Sequence, residues 1–186
     1  MNTMNQELTS LILIVKDVTI GVAAFVGMGF GIYNFFRDKS KEKVRLKVIP
    51  KSVIGRGTSS SGQEFVKTSQ DKFPENYIPD VFAIEVINFS DFPVIVDEVG
   101  FFQKGTDKRF SLPMPILPDQ REWPRKLEKR ESVTVYGDLQ SMLSSSDIEK
   151  VEYAFARTTC NSFGKGTSNA LKGLVLFSKT IKNKQV

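Results

Sequence analysis

The amino-acid sequence predicts a mainly β protein, in which an N-terminal transmembrane helix precedes an antiparallel, immunoglobulin-like β-sandwich with one short helix. Three observations support this prediction. Residues 18–36 form a long, uncharged apolar run. Short segments after residue 43 alternate apolar and polar residues or are rich in β-branched and aromatic residues. Only one helical pattern interrupts those segments, which favours antiparallel pairing. The same patterns allow a β-barrel as the second architecture.

The apolar run is predicted to cross a membrane. Residues 18–36 would make roughly 28 Å of helix at about 1.5 Å per residue, close to the thickness of the hydrocarbon core. A helix buried in a small soluble domain would usually carry a polar stripe, and this run has none. A cleaved signal peptide is disfavoured, because Glu7 is the only charge in residues 1–15 and no small-residue cleavage site follows the run. We therefore expect one retained span after a short N-terminal segment, residues 1–17.

Basic residues follow the apolar run at every second position. They are Arg37, Lys39, Lys41, Lys43, Arg45 and Lys47, against only Asp38 and Glu42. The positive-inside rule then predicts a single-pass protein of the cell inner membrane, with its N-terminus outside and its C-terminal domain in the cytoplasm. These bases are also expected to contact anionic lipid headgroups. Because they account for most of the net charge of +5, that charge does not predict nucleic-acid binding.

Residues 37–43 are predicted to form a basic juxtamembrane linker, and residues 44–182 the β-sandwich domain. Segments 81–89 and 94–102 flank the turn sequence FSDFP, so we expect them to form a β-hairpin. Asp138 is a plausible N-cap for the one predicted helix, which lies within residues 138–150. The predicted strands are residues 44–49, 81–89, 94–102, 109–113, 132–137, 151–158 and 171–181, and the predicted loops are 55–65 and 69–80.

Four segments resemble a group of bacterial proteins that have one N-terminal membrane anchor and a small cytoplasmic β-sandwich. These segments are IYNFFRDKSKEKVRLKV, EVINFSDFPVIVDEVGF, LEKRESVTVYGDLQSML and KVEYAFARTTC. The resemblance implies the same architecture and no particular activity. Where the group often has glycine, this chain has Ser90 and Asp91 at the turn after residue 89 and Asn161 after Cys160.

The residue types argue against catalysis. The chain has no histidine, which removes the usual general base and a common zinc ligand, and its single cysteine, Cys160, suits a reducing compartment. The segment FGKGTS, residues 163–168, fails the phosphate-loop pattern and is predicted to be a hairpin turn. Asp97 and Glu98 are adjacent on a predicted strand, so we expect them to face opposite sides. The sequence therefore predicts a non-enzymatic protein without a metal or cofactor. The alternative is a membrane-proximal enzyme that uses carboxylates or Cys160.

Small residues recur every four positions along the predicted span, at Thr19, Ala23, Gly27 and Gly31. Such a stripe lets a second helix approach closely, which predicts packing against another copy of this chain or against a larger membrane protein. Glycine is also generally frequent in membrane helices, so the stripe has an ordinary explanation as well.

A second candidate contact lies in residues 121–130, which contain the only tryptophan among several bases. Trp123, Arg121, Arg125 and Lys126 are the residue types that anchor protein interfaces. Alternatively, Trp123 closes one end of the sandwich while the charges are solvated. The sequence thus favours a membrane-anchored binding or accessory module that presents a cytoplasmic β-sandwich to a protein partner.

Overall fold

The chain forms two compact units, Met1–Lys43 and Val44–Val186. A computed structural model describes residues 2–58, 64–74, 79–112, 115–119, 121–145 and 147–184. The first unit consists mainly of one helix, whereas the second contains two antiparallel sheets and shorter helices. The prediction of a mainly β protein with an N-terminal apolar helix is therefore confirmed.

Helix α1 (Asn2–Lys41) makes up nearly all of the first unit. Its section Thr19–Lys39 is long and apolar enough to cross a membrane, and none of that section is buried against other parts of the chain. The bases at its C-terminal end, among them Arg37 and Lys39, suit the partial negative charge of a helix C-terminus. The helix also continues through residues that precede the apolar run.

The second unit begins its first strand five residues after α1 ends. In chain order it contains β1 (Leu46–Thr58), β2 (Glu64–Ser69), β3 (Val81–Asn88), β4 (Val94–Gln103), β5 (Arg109–Ser111), β6 (Arg125–Leu127), β7 (Ser132–Asp138), α2 (Leu139–Ser145), a 3₁₀ turn (Ile148–Lys150), β8 (Val151–Thr158), β9 (Phe163–Gly166) and α3 (Asn169–Lys184). The first sheet has the order β2-β1-β3-β7, and the second has the order β5-β4-β8-β9. Strand β6 also pairs with β4, at Val94–Val96, whereas β5 pairs with β4 at Gly100–Phe102.

The two sheets contribute to one hydrophobic core. Strand alternation sends one face of β3 and β7 and one face of β4 and β8 into a single cluster. Its members include Phe82, Ile84, Val86, Val133, Val135, Val96, Val99, Phe101, Ala154 and Ala156. The rings of Phe82 and Phe101, which belong to different sheets, have centroids 6.1 Å apart. Each large apolar side chain buried here stabilises the fold by about 1.5–3 kcal/mol.

The predicted hairpin between segments 81–89 and 94–102 is wrong. Both segments are strands, but β3 pairs with β1 and β7, whereas β4 pairs with β5, β6 and β8. The chain crosses between the sheets, and the buried Asn88 side chain stabilises the crossing. Its Nδ2 donates to the carbonyl oxygens of Phe92 at 2.8 Å and Leu127 at 3.1 Å, and its Oδ1 accepts from the Ser90 amide at 2.8 Å.

The segment FGKG is also not a turn but strand β9, which pairs with β8. Its glycines let β9 lie close to β1: a Cβ atom at Gly166 would overlap the carbonyl oxygen of Val48, and one at Gly164 would lie 2.6 Å from the Leu46 Cβ. The turn itself precedes the strand and includes Asn161, whose φ of 62° is the left-handed conformation that Asn tolerates better than most residues.

The predicted strand 171–181 is wrong as well, because these residues lie in helix α3. Ala170, Leu171 and Leu174 are buried at helical spacing, and the Ser168 hydroxyl accepts from the Leu171 amide at 3.1 Å as an N-cap. The expectation of one short helix is therefore also wrong.

The predicted N-cap of the other helix is confirmed. The Asp138 carboxylate accepts from the Ser141 amide at 2.8 Å, which starts α2. The loop predicted at 55–65 is shorter than expected, because β1 extends to Thr58 and β2 begins at Glu64. Its remainder, residues 59–63, lies outside the described residues. Strand β6 was predicted by no sequence pattern.

Candidate interaction surface

A β-bulge in β4 brings two acidic residues to the same side of the second sheet. Val96 pairs with Thr158, and Glu98 pairs with the preceding residue, Arg157, so Asp97 is the extra residue. The Arg157 Nε lies 3.3 Å from Asp97 Oδ1 and 3.0 Å from Glu98 Oε2. The expectation that Asp97 and Glu98 face opposite sides is therefore wrong, since a bulge interrupts the strict alternation of strand side chains.

Further polar contacts engage the Glu98 carboxylate. The Ser111 hydroxyl donates to its Oε1, and the Arg109 Nε lies 3.4 Å from the same oxygen. The Glu98 side chain is only 14% exposed. These contacts join β4, β5 and β8 through charged groups on the outer face of the sheet, and they leave Glu98 paired with two arginines.

Four aromatic rings lie beside this ion-pair group and form the outer aromatic cluster: Phe102, Tyr153, Phe155 and Phe163. The Phe102 centroid lies 5.1 Å from that of Tyr153, 4.8 Å from Phe155 and 6.4 Å from Phe163. Phe155 is fully buried although it does not belong to the core between the sheets. The neighbouring rings therefore pack over it on the outside of the second sheet.

Two cations cover the outer aromatic cluster. The Arg109 Cζ lies 5.8 Å from the Phe155 centroid and 5.7 Å from that of Phe163. The Lys165 Nζ lies 4.6 Å from the Tyr153 centroid and 5.6 Å from that of Phe102. Such contacts contribute about 0.5–1 kcal/mol each at exposed sites. We call the outer aromatic cluster together with Arg109 and Lys165 the aromatic–basic face.

The sequence pattern contained part of this face. In β8, aromatic residues at Tyr153 and Phe155 alternate with the small residues Ala154 and Ala156, which separates an aromatic side from a small-residue side. Phe163 and Lys165 were missed because their segment was predicted to be a turn. Arg109 could not be assigned to the face, because only the β4–β5 pairing places it there.

The predicted contact residues of segment 121–130 are partly turned inward. Trp123 packs against the core, and its Nε1 donates to the Asp97 carbonyl oxygen at 3.1 Å. The Arg125 Nη2 lies 2.8 Å from Asp119 Oδ2, and the Arg125 side chain is 11% exposed. Arg121 and Lys126 are exposed. A hydrogen bond to the Glu128 carboxylate raises the pKa of Lys126.

The predicted helix-packing residues Thr19, Ala23, Gly27 and Gly31 are all exposed on α1. A Cβ atom added at either glycine would meet nothing within 4 Å. Of the predicted lipid-contacting bases, Arg37 and Lys39 are exposed on α1, Lys41 ends the helix and Lys43 is exposed after it. The other two, Arg45 and Lys47, are exposed residues of the second unit.

Cys160 is an exposed thiol in the turn between β8 and β9. Its Sγ lies 3.1 Å from the Thr158 Oγ1 and 3.6 Å from the Ser162 Oγ. Hydrogen bonds with these hydroxyls lower the pKa of the thiol, and the bond with Thr158 has the larger effect. Among the residues that the structure describes, no group of three or more Cys, Asp or Glu side chains is arranged to hold a metal ion.

Compared with known protein families and with curated proteins, the chain matches no family model and no curated sequence. The geometry of the two units is thus the basis for a functional proposal.

Proposed function

We propose that this protein is a membrane-anchored, non-enzymatic binding module whose aromatic–basic face contacts a protein partner. The observation that carries this proposal is an aromatic cluster on the outside of the second sheet, covered by Arg109 and Lys165. This cluster lies outside the continuous core between the sheets. Aromatic and arginine side chains are favoured anchors of protein interfaces.

The anchor in this proposal is α1, retained as a single transmembrane span. Its exposed apolar section, Thr19–Lys39, supports membrane insertion. The bases from Arg37 to Lys47 support a cytoplasmic location for the second unit, in the inner membrane of a bacterium, with the N-terminus outside. A C-terminal reporter that is active only in the periplasm should stay silent. A strong signal would contradict this orientation.

An immunoglobulin-like sandwich is the architecture that we propose for the second unit. Strands β1, β3 and β7 take the places of A, B and E in one sheet, and β4, β8 and β9 take those of C, F and G in the other. The crossings from β3 to β4 and from β7 to β8 follow the same topology. The resemblance to bacterial proteins with one anchor and a cytoplasmic sandwich agrees with this assignment.

A second contact, besides the aromatic–basic face, is proposed for helix α1. Thr19, Ala23, Gly27 and Gly31 are proposed to pack against a second membrane helix, from another copy or from a larger complex. Replacing Gly27 and Gly31 by Leu should lower the recovery of that complex in mild detergent. Unchanged recovery would remove the helix contact and leave α1 as a tether.

The alternative of a membrane-proximal enzyme has less support. Asp97 and Glu98 converge, but Arg157 and Arg109 pair with them, so they are not placed as a free acid and base. Cys160 is exposed and its nearest side-chain partners are the hydroxyls of Thr158 and Ser162. The chain also has no histidine, the base that most often activates a nucleophile.

Photocrosslinking in cells tests the binding proposal directly. A benzophenone amino acid replaces Phe163, which is 40% exposed, in the full-length protein in its native host. The matched control replaces Leu176, which is 64% exposed on α3 and lies outside the face. We expect a discrete protein adduct from position 163 that position 176 does not give. No adduct at 163, or the same adducts at both positions, would contradict the proposal.

A further inference from the structure

We infer that the aromatic–basic face binds an acidic segment of a partner protein, whose carboxylates pair with Lys165 and Arg109 while an apolar side chain contacts Phe163. This inference rests on the proposed binding function and specifies its chemistry. Three features of the outer face support it: its carboxylates are already paired, the Phe163 ring is exposed, and cations lie over the other rings.

The negative charges of the outer face are already engaged. Asp97 lies 3.3 Å from Arg157 Nε, and Glu98 contacts Arg157, Arg109 and Ser111. The Asp97 and Glu98 side chains are only 22% and 14% exposed. A basic partner would therefore have to displace existing ion pairs, which makes this surface a poor site for cations.

The positive charges at the rim are more available. Within the described part of the chain, Lys165 Nζ has ring faces as its partners and no carboxylate within 4.0 Å. Arg109 directs its Nε toward Glu98, and its side chain remains 36% exposed. The two cations flank the rings of the outer aromatic cluster. A carboxylate next to Lys165 would gain an ion pair without breaking one, and a carboxylate next to Arg109 would share that guanidinium with Glu98.

Phe163 provides the contact for the apolar side chain of the ligand. Its ring is 40% exposed, whereas Phe155 beneath it is fully buried. The centroids of these two rings are 6.0 Å apart, so Phe163 packs beside a buried ring. A pre-positioned ring lowers the ordering cost of binding. An apolar side chain next to a carboxylate would match a surface on which the exposed Phe163 ring lies beside Arg109, while Lys165 lies over the neighbouring rings of Tyr153 and Phe102.

A single-stranded nucleic acid fits this surface less well. Successive bases need open ring faces on which to stack, together with a basic groove along the backbone. Here Lys165 covers Tyr153 and Phe102, Arg109 covers Phe155, and Phe155 itself is inaccessible. Two rim cations also provide few phosphate contacts. The geometry therefore favours a short acidic protein segment.

Fluorescence anisotropy with defined peptides tests the inference. The full-length protein is placed in phosphatidylcholine nanodiscs and titrated against a labelled, end-capped peptide in which glutamate alternates with leucine and tyrosine. The comparison peptide has glutamine at every glutamate. Two ion pairs should make the glutamate peptide bind about tenfold more tightly at low salt. Lys165→Met removes one of the two ion pairs and should lower this preference to about threefold, whereas Lys172→Met, at an exposed position of α3, should leave it unchanged.

The other outcomes identify what fails. Equal affinity for the two peptides, or equal effects of both substitutions, would overturn the acidic-segment inference. Tighter binding of a labelled oligothymidine than of the glutamate peptide would overturn it in favour of nucleic acid. Loss of binding of both the glutamate and the neutral glutamine peptide in phosphatidylserine nanodiscs, without loss in phosphatidylcholine, would overturn it in favour of lipid headgroups. If the two peptides bind equally but position 163 still crosslinks to a protein, the proposed binding function stands and only the acidic-segment inference fails. If position 163 gives no crosslink at all, both the proposed function and the inference fail.

Discussion

Phe101 and Phe102 are neighbours on β4 but belong to different aromatic clusters. Phe101 faces the core, where its ring centroid lies 6.1 Å from that of Phe82 and 5.1 Å from that of Phe110. Phe102 faces outward and packs with Tyr153, Phe155 and Phe163. Strand alternation alone separates the two rings. Cations lie over rings of the outer cluster, whereas the core cluster is built from apolar side chains.

Burial does not distinguish the two clusters completely. Phe155 of the outer cluster has the same full burial as Phe101 of the core. The difference lies in what covers the rings: the opposite sheet covers Phe101, whereas Arg109 and Phe163 lie over Phe155. A surface cluster can thus be packed like a core and still present charged groups to a partner.

The largest loss of stability should come from a substitution in the core between the sheets. Phe101→Ala leaves a cavity between the sheets and should lower the free energy of unfolding by about 3–5 kcal/mol. Urea unfolding of the full-length protein in mild detergent can be followed by the fluorescence of Trp123, the only tryptophan. A loss below about 1 kcal/mol would contradict the assignment of Phe101 to a close-packed core.

A smaller loss is expected where the two sheets approach each other. Gly166→Ala would force the new Cβ against the Val48 carbonyl oxygen and should cost about 1–3 kcal/mol. Because β9 also carries Phe163 and Lys165, the displacement should weaken peptide binding too. Gly55→Ala is the matched control, since a Cβ there meets nothing within 4 Å. Equal unfolding curves for the two variants would contradict the close approach.

Removing the exposed outer ring should separate binding from stability. Phe163→Ala deletes a ring that is 40% exposed, so the free energy of unfolding should fall by about 1 kcal/mol or less. Recovery of the partner with the tagged full-length protein should nevertheless fall severalfold. Exposed Leu176→Ala serves as the control for partner recovery. Normal recovery with Phe163→Ala would show that the outer cluster does not carry the contact.

The smallest structural effect is expected at Cys160. Its thiol has a lowered pKa because of hydrogen bonds with Thr158 and Ser162, so it should form thiolate at a lower pH than an ordinary cysteine. Ser162→Ala removes one of these hydroxyls and should move the pH profile of maleimide alkylation upward. Cys160→Ser should leave partner recovery unchanged. A loss of recovery in Cys160→Ser would favour the thiol-dependent alternative.

Elements set by local patterns were the most predictable from the sequence. The apolar run lies in α1, Asp138 caps α2, and the strong β patterns became β3, β4, β7 and β8. Helix α3 was missed because its apolar residues also suit a buried strand, and only the burial of Ala170, Leu171 and Leu174 on one side distinguishes the helix. The pairing of β3 with β1 and β7 was missed because proximity in sequence favours a hairpin.

The aromatic–basic face could be predicted only in part. Tyr153 and Phe155 share a side by alternation, which follows from their positions in β8. Phe163 required the identification of a short glycine-containing strand, and Arg109 required the pairing of β5 with β4. Asp97 and Glu98 were assigned to opposite sides because a bulge depends on the register of the partner strand, which no local pattern in β4 specifies.

By itself, the sequence determined the apolar helix, the antiparallel β character of the remaining chain and the basic cluster between them. Each of these depends on the composition or periodicity of a continuous segment. The tertiary structure decided which strands pair, where the bulge lies and which aromatic rings meet on the outer face. Those features depend on contacts between residues far apart in the chain, because burial of both sheet faces and pairing of backbone groups are satisfied only when all strands assemble.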